Sequence, residues 1–221
     1  MNAWSGTTVC ALVSGGLDSA VLLGRLLADG RRVKPLYLRC GLSWEAVELY
    51  WLRRFLHATR SAHRAPLLVV DVPLRATYGR HWSLTGRRVP GARSADRAVY
   101  LPGRNVLLLT HAAIASVQRG ISIVAIGTLK GNPFGDATPR FVHLLERTLM
   151  EALGRPVHLL APLRRMSKRD LIRSANDVPL HLTFSCLQPR GRHHCGRCNK
   201  CAERQRAFRQ AHVPDPTCYA R

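Results

Sequence analysis

The string Ser14-Gly15-Gly16-Leu17-Asp18-Ser19 is made of the residue types that hold phosphate. Two glycines let the backbone turn close to an anion, and Asp18-Ser19-Ala20-Val21-Leu22-Leu23 opens an apolar-periodic stretch that predicts a helix. Unpaired amide hydrogens at such an N-terminus attract an anion, with roughly 0.3–1 kcal/mol from the helix dipole alone. The string lacks the Gly-Lys-Ser/Thr ending of a Walker A loop, which excludes that class of nucleotide site. Beside a polyphosphate, the Asp18 carboxylate is expected both to help hold Mg²⁺ and to cap the helix.

A second cluster has the spacing of a metal site. Cys186, Cys195, Cys198 and Cys201 follow the pattern C-x8-C-x2-C-x2-C. Two residues between cysteines let neighbouring thiolates grip one ion, and four sulfurs fill a tetrahedral zinc shell, so the site is read as structural rather than catalytic. Gly196 relieves the tight turn, Arg197 and Lys200 offset part of the negative charge, and His193 and His194 stand by as alternative ligands. Disulfides and free thiols are the competing readings. A structural zinc supplies on the order of 10 kcal/mol of apparent folding free energy in small sites, enough for this tail to fold around its metal.

Two further segments fit an anionic ligand. Leu101-Pro102-Gly103-Arg104-Asn105 precedes a helix and presents an arginine at its start, although a bare turn and cap would look the same. Pro162 to Lys168 also leads into a helix, with Ser167 as its cap and Lys168 in its first turn. A cation there opposes the helix dipole, and a phosphate partner gives it a reason to stand there.

The elements that must position these residues alternate. Strand-like runs fall at Val9 to Val13, Val33 to Leu38, Leu67 to Val72, Ile121 to Ile126 and Val157 to Leu160. Helical patterns lie between them at Ala20 to Leu27, Trp44 to Ala58, Asn105 to Val117 and Phe141 to Leu153. This predicts an α/β fold, a doubly wound parallel five-stranded sheet of Rossmann-like form, with ligands beyond the strand C-termini where the glycine loop falls. Residues 75–101 have no clear period, and carry Arg87, Arg88, Arg93 and Arg97. A solvated basic loop is the expected reading, with a lid or an anion-binding loop as the alternative.

At 221 residues and 46% hydrophobic content, the chain suits one ordinary domain plus an appendage, read as 1–182 and 183–221. No apolar run is long enough for a membrane span and no signal-peptide pattern opens the chain, so a soluble cytoplasmic protein is expected, and the cysteine usage agrees. The formal net charge is +21, but of its basic residues only Lys34, Lys130, Lys168 and Lys200 are lysines. An arginine-favouring genome accounts for that skew as well as a nucleic-acid surface does. The basic residues are also spread along the whole chain and aromatics stand at 6%, so nucleic acid is not the favoured partner.

Taken together, the loop at Ser14 to Ser19 resembles the pyrophosphate loop of the N-type ATP pyrophosphatases. With Pro102-Gly103-Arg104-Asn105, Gly127, Pro162 to Lys168, and Ser185-Cys186 through Cys201 to Phe208, the chain resembles the 7-cyano-7-deazaguanine synthase family. The resemblance implies an adenine nucleotide alpha hydrolase-like fold with a C-terminal zinc knuckle. It also implies an AMP-forming ligase of queuosine biosynthesis, which adenylates the carboxylate of 7-carboxy-7-deazaguanine and lets ammonia displace AMP to give an amide and then a nitrile. Ser14, Gly15, Gly16, Leu17, Asp18 and Ser19 would bind pyrophosphate and Mg²⁺, with Gly103 and Asn105 beside the nucleotide and Gly41 near the adenine. Asp18, Arg104 and Lys168 would carry the chemistry, and a homodimer is compatible with the family.

Two segments depart from the family pattern. Gly41-Leu42-Ser43-Trp44 stands where relatives carry Gly-Gln-Arg/Lys-His, and Asn132 to Thr138 has lost the cysteine and arginine of the substrate loop. There, Asp136 would pair with the guanine-like edge and Phe134 would stack on the ring, beside Gly127. These departures keep two alternatives open: transfer of the activated acyl group to a protein amine in a bacterial antiviral defence system, and a tRNA-modifying pyrophosphatase. The second would need a reactive thiol, for which Cys10 and Cys40 are the nearby candidates, although a buried small residue suits Cys40 equally.

Overall fold

The computed structural model describes residues 7–220. Residues 1–6 and 221, the outer ends of the two expected segments, lie outside the described residues. Five strands form one sheet: β1 (Thr8–Leu12), β2 (Arg32–Arg39), β3 (Leu68–Asp71), β4 (Ile123–Ala125) and β5 (His158–Leu160). All pair in parallel, in the order β3-β2-β1-β4-β5. β1 is buried on both faces because its alternate residues serve two cores. Val9 and Ala11 face the helices α1 (Leu17–Ala28) and α2 (Glu45–Ala58), whereas Cys10 and Leu12 face α5 (Arg104–Val117).

The remaining helices complete those layers. α6 (Pro139–Leu153) lies against α5, while α7 (Lys168–Arg173) and α8 (Asn199–Ala211) pack together on the α1 side. The chain runs outward from β1 through β2 to β3, then returns to β4 on the other side of β1. This reversal opens a crevice between the C-terminal ends of β1 and β4. Loop Ser14 to Ser19 enters that crevice from β1, and Gly127 enters it from β4. A Cβ on Gly127 would lie 3.1 Å from the Asp18 backbone, so only glycine lets the β4 exit approach the first turn of α1 this closely.

Residues 75–101 are more ordered than the sequence indicates. Two single-turn helices, α3 (Arg75–Tyr78) and α4 (Trp82–Thr85), and a 3₁₀ turn at Asp96–Val99 break up the segment. Its second half is pinned to the cysteine-rich tail: Ala92 N–H donates to the Arg197 carbonyl, Asn199 N–H to Pro90, and Asn199 Nδ2 to Ser94, each at 2.9 Å. Trp82 stacks on Trp44 at 5.8 Å. These partners lie far away in sequence, which is why no local period announced them. Arg87, Arg88, Arg93 and Arg97 do remain exposed, as a solvated basic loop requires.

Candidate active site

The loop after β1 is shaped by its own serines. Gly15 takes the left-handed conformation (φ 76°), Ser14 N–H donates to Ser19 Oγ at 3.2 Å, and Ser19 Oγ donates to the Gly16 carbonyl at 3.1 Å. Gly16 is the N-cap of α1 and no side chain caps that helix. Its first amide hydrogens therefore point outward with the positive end of the dipole behind them. Asp18 does not act as the expected cap, because its carboxylate is taken elsewhere.

Asp18 accepts two hydrogen bonds from Lys168 Nζ, at 2.8 and 2.9 Å. The same ammonium meets Glu203 at 3.2 Å, and Glu203 in turn accepts from Lys200 at 2.6 Å. Burial opposes the Lys168 charge, but Asp18 and Glu203 outweigh it and hold the ammonium protonated well above the usual lysine range. Glu203 behaves as the mirror image: burial opposes its charge, and Lys168 with Lys200 pulls its carboxyl down to about 2. Ser167 caps α7 by accepting from Asp170 N–H at 3.2 Å, which sets Lys168 in the first turn as its sequence indicates.

These groups line one cavity of about 460 Å³ at the C-terminal edge of the sheet. Asp18, Lys168, Lys200 and Glu203 stand at one part of its wall, and Arg104, Asn105, Gly127, Phe134 and Asp136 at another. The cavity thus brings together most of the residues singled out in the sequence, including Ser14, Gly16, Leu17 and Ser19. Gly15, Gly41 and Gly103 shape turns rather than line it. Gly41 (φ 78°) donates its N–H to Glu45 at 3.0 Å, and Gly103 (φ 70°) is the left-handed N-cap of α5.

Asp136 and Phe134 both line the cavity and both have partners within the protein. The Asp136 carboxylate accepts from Asn105 N–H at 3.0 Å and from Asn105 Nδ2 at 3.4 Å, so it caps α5 from a distance instead of standing open to a ring edge. Phe134 is stacked on Tyr100, with centroids 4.7 Å apart, and forms an aromatic wall with it. Cys40 is 1% exposed, does not line the cavity, and has its thiol pushed up to about 11 by burial. Burial raises Cys10 likewise, which leaves neither thiol primed for attack.

Glu48, Tyr37 and Arg204 are not singled out by sequence motif or spacing. Glu48 lies on the cavity wall, buried on α2, and accepts from Tyr37 OH at 2.7 Å. Burial lifts its carboxyl to about 7, against the pull of the Tyr37 hydrogen bond and the Arg104 charge. The available signal was its position on the buried stripe of α2 with Glu45, Leu49 and Leu52. Arg204 is 2% exposed and bonds Thr217, Thr183, Ser185 and the Leu180 carbonyl at 2.6–3.3 Å. Between Thr183 and Ser185, the Phe184 N–H donates to the Gly15 carbonyl at 2.8 Å, so Arg204 braces the segment that braces the loop.

The four tail cysteines are buried with their sulfurs all within 4.8 Å of one another. Cys186 and Cys198 lie 4.0 Å apart and Cys195 and Cys201 3.9 Å apart. A tetrahedral ion with bonds of about 2.3 Å would separate its sulfurs by about 3.8 Å, so the set can hold a metal ion. Backbone N–H groups of Leu187, Gln188, Cys195 and Cys198 donate to these sulfurs at 3.2–3.4 Å, as charged thiolates require. His194 is no ligand: its Nε2 accepts from Ser185 N–H at 3.1 Å and its ring packs on Phe184.

The parallel sheet, the open N-terminus of α1 and the loop after β1 define a Rossmann-like α/β fold with an anion-ready loop at its crevice. A family model described as "Queuosine biosynthesis protein QueC" matches residues 8–212, and the chain belongs to that family. Two of its relatives carry the name 7-cyano-7-deazaguanine synthase. That of Anaeromyxobacter dehalogenans is 34% identical over 95% of this chain and 94% of its own length, and that of Methanothrix thermoacetophila 32% identical over 97% and 99%. The fold also matches a 4-thiouridine synthetase solved as an RNA complex with bound ATP, at TM-score 0.52 and 17% identity, over 93% of this chain and half of that one. Among the described residues, no helix is long and apolar enough to cross a membrane.

Because the Glu48 pKa is raised above its unfolded value, its contribution to stability is full below the unfolded pKa and is lost as pH rises through about 7. Glu48→Gln removes that dependence. Relative to wild type, the variant gains up to about 3 kcal/mol between pH 5 and pH 9 in denaturant titrations. Parallel curves for the two proteins would contradict the assignment.

Proposed function

We propose that the protein adenylates the carboxylate of 7-carboxy-7-deazaguanine with ATP. A carboxylate oxygen attacks the α-phosphorus, the bond to the bridging oxygen breaks, and pyrophosphate leaves. Ammonia then adds to the acyl carbon of the adenylate and AMP departs with the original carboxylate oxygen, giving the amide. A second ATP activates the amide oxygen in the same way; loss of AMP and protons from nitrogen leaves the nitrile. The observation that carries this reading is the uncapped N-terminus of α1, set beside Asp18 and Lys168 in one cavity.

In this reading Ser14, Gly15, Gly16, Leu17 and Ser19 surround the departing pyrophosphate through backbone and hydroxyl hydrogens, and Gly103 and Asn105 flank the nucleotide. Lys168 and Arg104 offset the charge that develops on the leaving oxygens. Arg104 Nε is buried and has no hydrogen-bond partner among the described residues, as suits a group that meets an anion. Asp18 would be the residue to hold Mg²⁺, which when bound would supply charge neutralisation to the phosphates. Phe134 and Tyr100 offer a flat wall to a ring, and Gly127 lines the same cavity.

Zinc is the metal we assign to Cys186, Cys195, Cys198 and Cys201, with no part in the chemistry because four thiolates leave no open position. Through Glu203 and Arg204 on α8, the same helix that carries Cys201, the tail buttresses the nucleotide side. Residues 1–182 and 183–221 are accordingly one domain and its metal-bound buttress. Elemental analysis should find about one zinc per chain, and stripping it should abolish ATP turnover together with the tail's protection from proteolysis. Full activity in zinc-free protein would contradict this.

Incubation with ATP, Mg²⁺, 7-carboxy-7-deazaguanine and ammonium should yield AMP, pyrophosphate and, by mass spectrometry, the nitrile. Asp18→Asn and Lys168→Met should each lower kcat/KM by roughly 100-fold or more while leaving the fold intact. Unchanged turnover in both variants would remove the loop from the chemistry.

A further inference from the structure

Five carboxylates line the cavity: Asp18, Glu48, Asp96, Asp136 and Glu203. Asp18 and Glu203 clamp Lys168, Asp136 caps α5 through Asn105, and Asp96 is exposed at the rim on its 3₁₀ turn. Glu48 alone of the five is buried on the wall without an ammonium or a helix end to serve. Its surroundings are donors: Tyr37 OH at 2.7 Å, the Trp44 side chain, and the Arg104 charge nearby. Donors on two sides and a cation hold the carboxylate as an acceptor with lone pairs to spare.

An acceptor-only group with two oxygens side by side matches a ligand with two adjacent N–H donors. Of the two ring systems in the proposed reaction, the guanine-like edge presents N1–H next to a 2-amino group. Adenine presents a 6-amino donor next to the N1 acceptor, whose lone pair would face a carboxylate lone pair. We propose that Glu48 reads the guanine-like edge of the acid substrate, its two oxygens accepting from N1–H and the 2-amino group, while Asp136 holds the start of α5 through Asn105. The identity of the acid rests on the proposed function; the requirement for two adjacent donors rests on the cavity alone.

The charge state of Glu48 adds a pH signature. Its carboxyl sits near 7 in the empty site, so the acid should bind more weakly as pH falls below 7 and protonation removes one acceptor. The ionisable groups facing it are Tyr37 on β2, Cys40 just beyond that strand, Glu45 on its own helix and Arg104 on α5. Burial lifts the Tyr37 hydroxyl and the Cys40 thiol away from neutrality, the thiol to about 11, so neither changes charge in that window.

The test is calorimetric binding of 7-carboxy-7-deazaguanine and of its analogue lacking the 2-amino group, with a non-hydrolysable ATP analogue present, to wild type and Glu48→Gln. Wild type should prefer the intact acid by roughly 100-fold, and Glu48→Gln should shrink that preference to about tenfold or less with affinity for the ATP analogue unchanged. The unchanged nucleotide affinity shows that the variant is folded, and the ratio cancels any loss of competent protein. A preference kept in Glu48→Gln, or a loss that falls on the ATP analogue instead, overturns the assignment. If wild type binds the acid through Glu48 but releases no AMP from ATP, the proposed reaction fails and the recognition site stands.

Discussion

The Lys168 ammonium, shared between Asp18 and Glu203, is the interaction on which the rest of the site depends. It joins three segments that are remote in sequence: the loop after β1, the start of α7, and the helix that carries Cys201. Each of its partners is a partly buried ion, so removing one leaves the remaining charges less fully balanced where the dielectric is poorer than water. The cysteine-rich tail is therefore part of the phosphate side of the cavity. Arg204 repeats the logic with Asp215 as its carboxylate at 3.7 Å, bracing Thr183 and Ser185 on either side of the residue that bonds Gly15.

The geometry that this clamp needs follows from the sheet. A parallel order that reverses between β1 and β4 leaves a crevice at one edge, and every element that ends or begins there can contribute a side chain. α1, α5 and α7 all start at the cavity, so their first turns face it with positive dipole ends. The stacked Tyr100–Phe134 pair and Tyr37, Trp44 and Glu48 line the same cavity. The net charge of +21 is spread over the whole surface, and it does not explain the site. What matters is where the few carboxylates are committed.

Much of this was legible in the residues themselves. Strand and helix positions follow largely from period: Thr8–Leu12 is shifted by one residue from its expected range, and Arg104–Val117 starts one residue before its own. Ser14 to Ser19 and the four cysteines have spacings that fix their local geometry, so their arrangement could be read in advance. Glu48, Arg204 and the pairing of Asp136 with Asn105 were not legible, because each depends on partners many residues away. Charged residues on otherwise apolar helical stripes, as Glu48 and Arg204 are, give the one local hint of buried function. Residues 75–101 escaped for the same reason, since their order comes from Trp44 and the cysteine tail.

The central claim is that the acid is activated as its adenylate. It is tested most directly by supplying 7-carboxy-7-deazaguanine labelled with ¹⁸O in its carboxylate and weighing the products. The account predicts that each AMP formed carries one labelled oxygen while pyrophosphate carries none. Label in inorganic phosphate, with ADP as the nucleotide product, would contradict it.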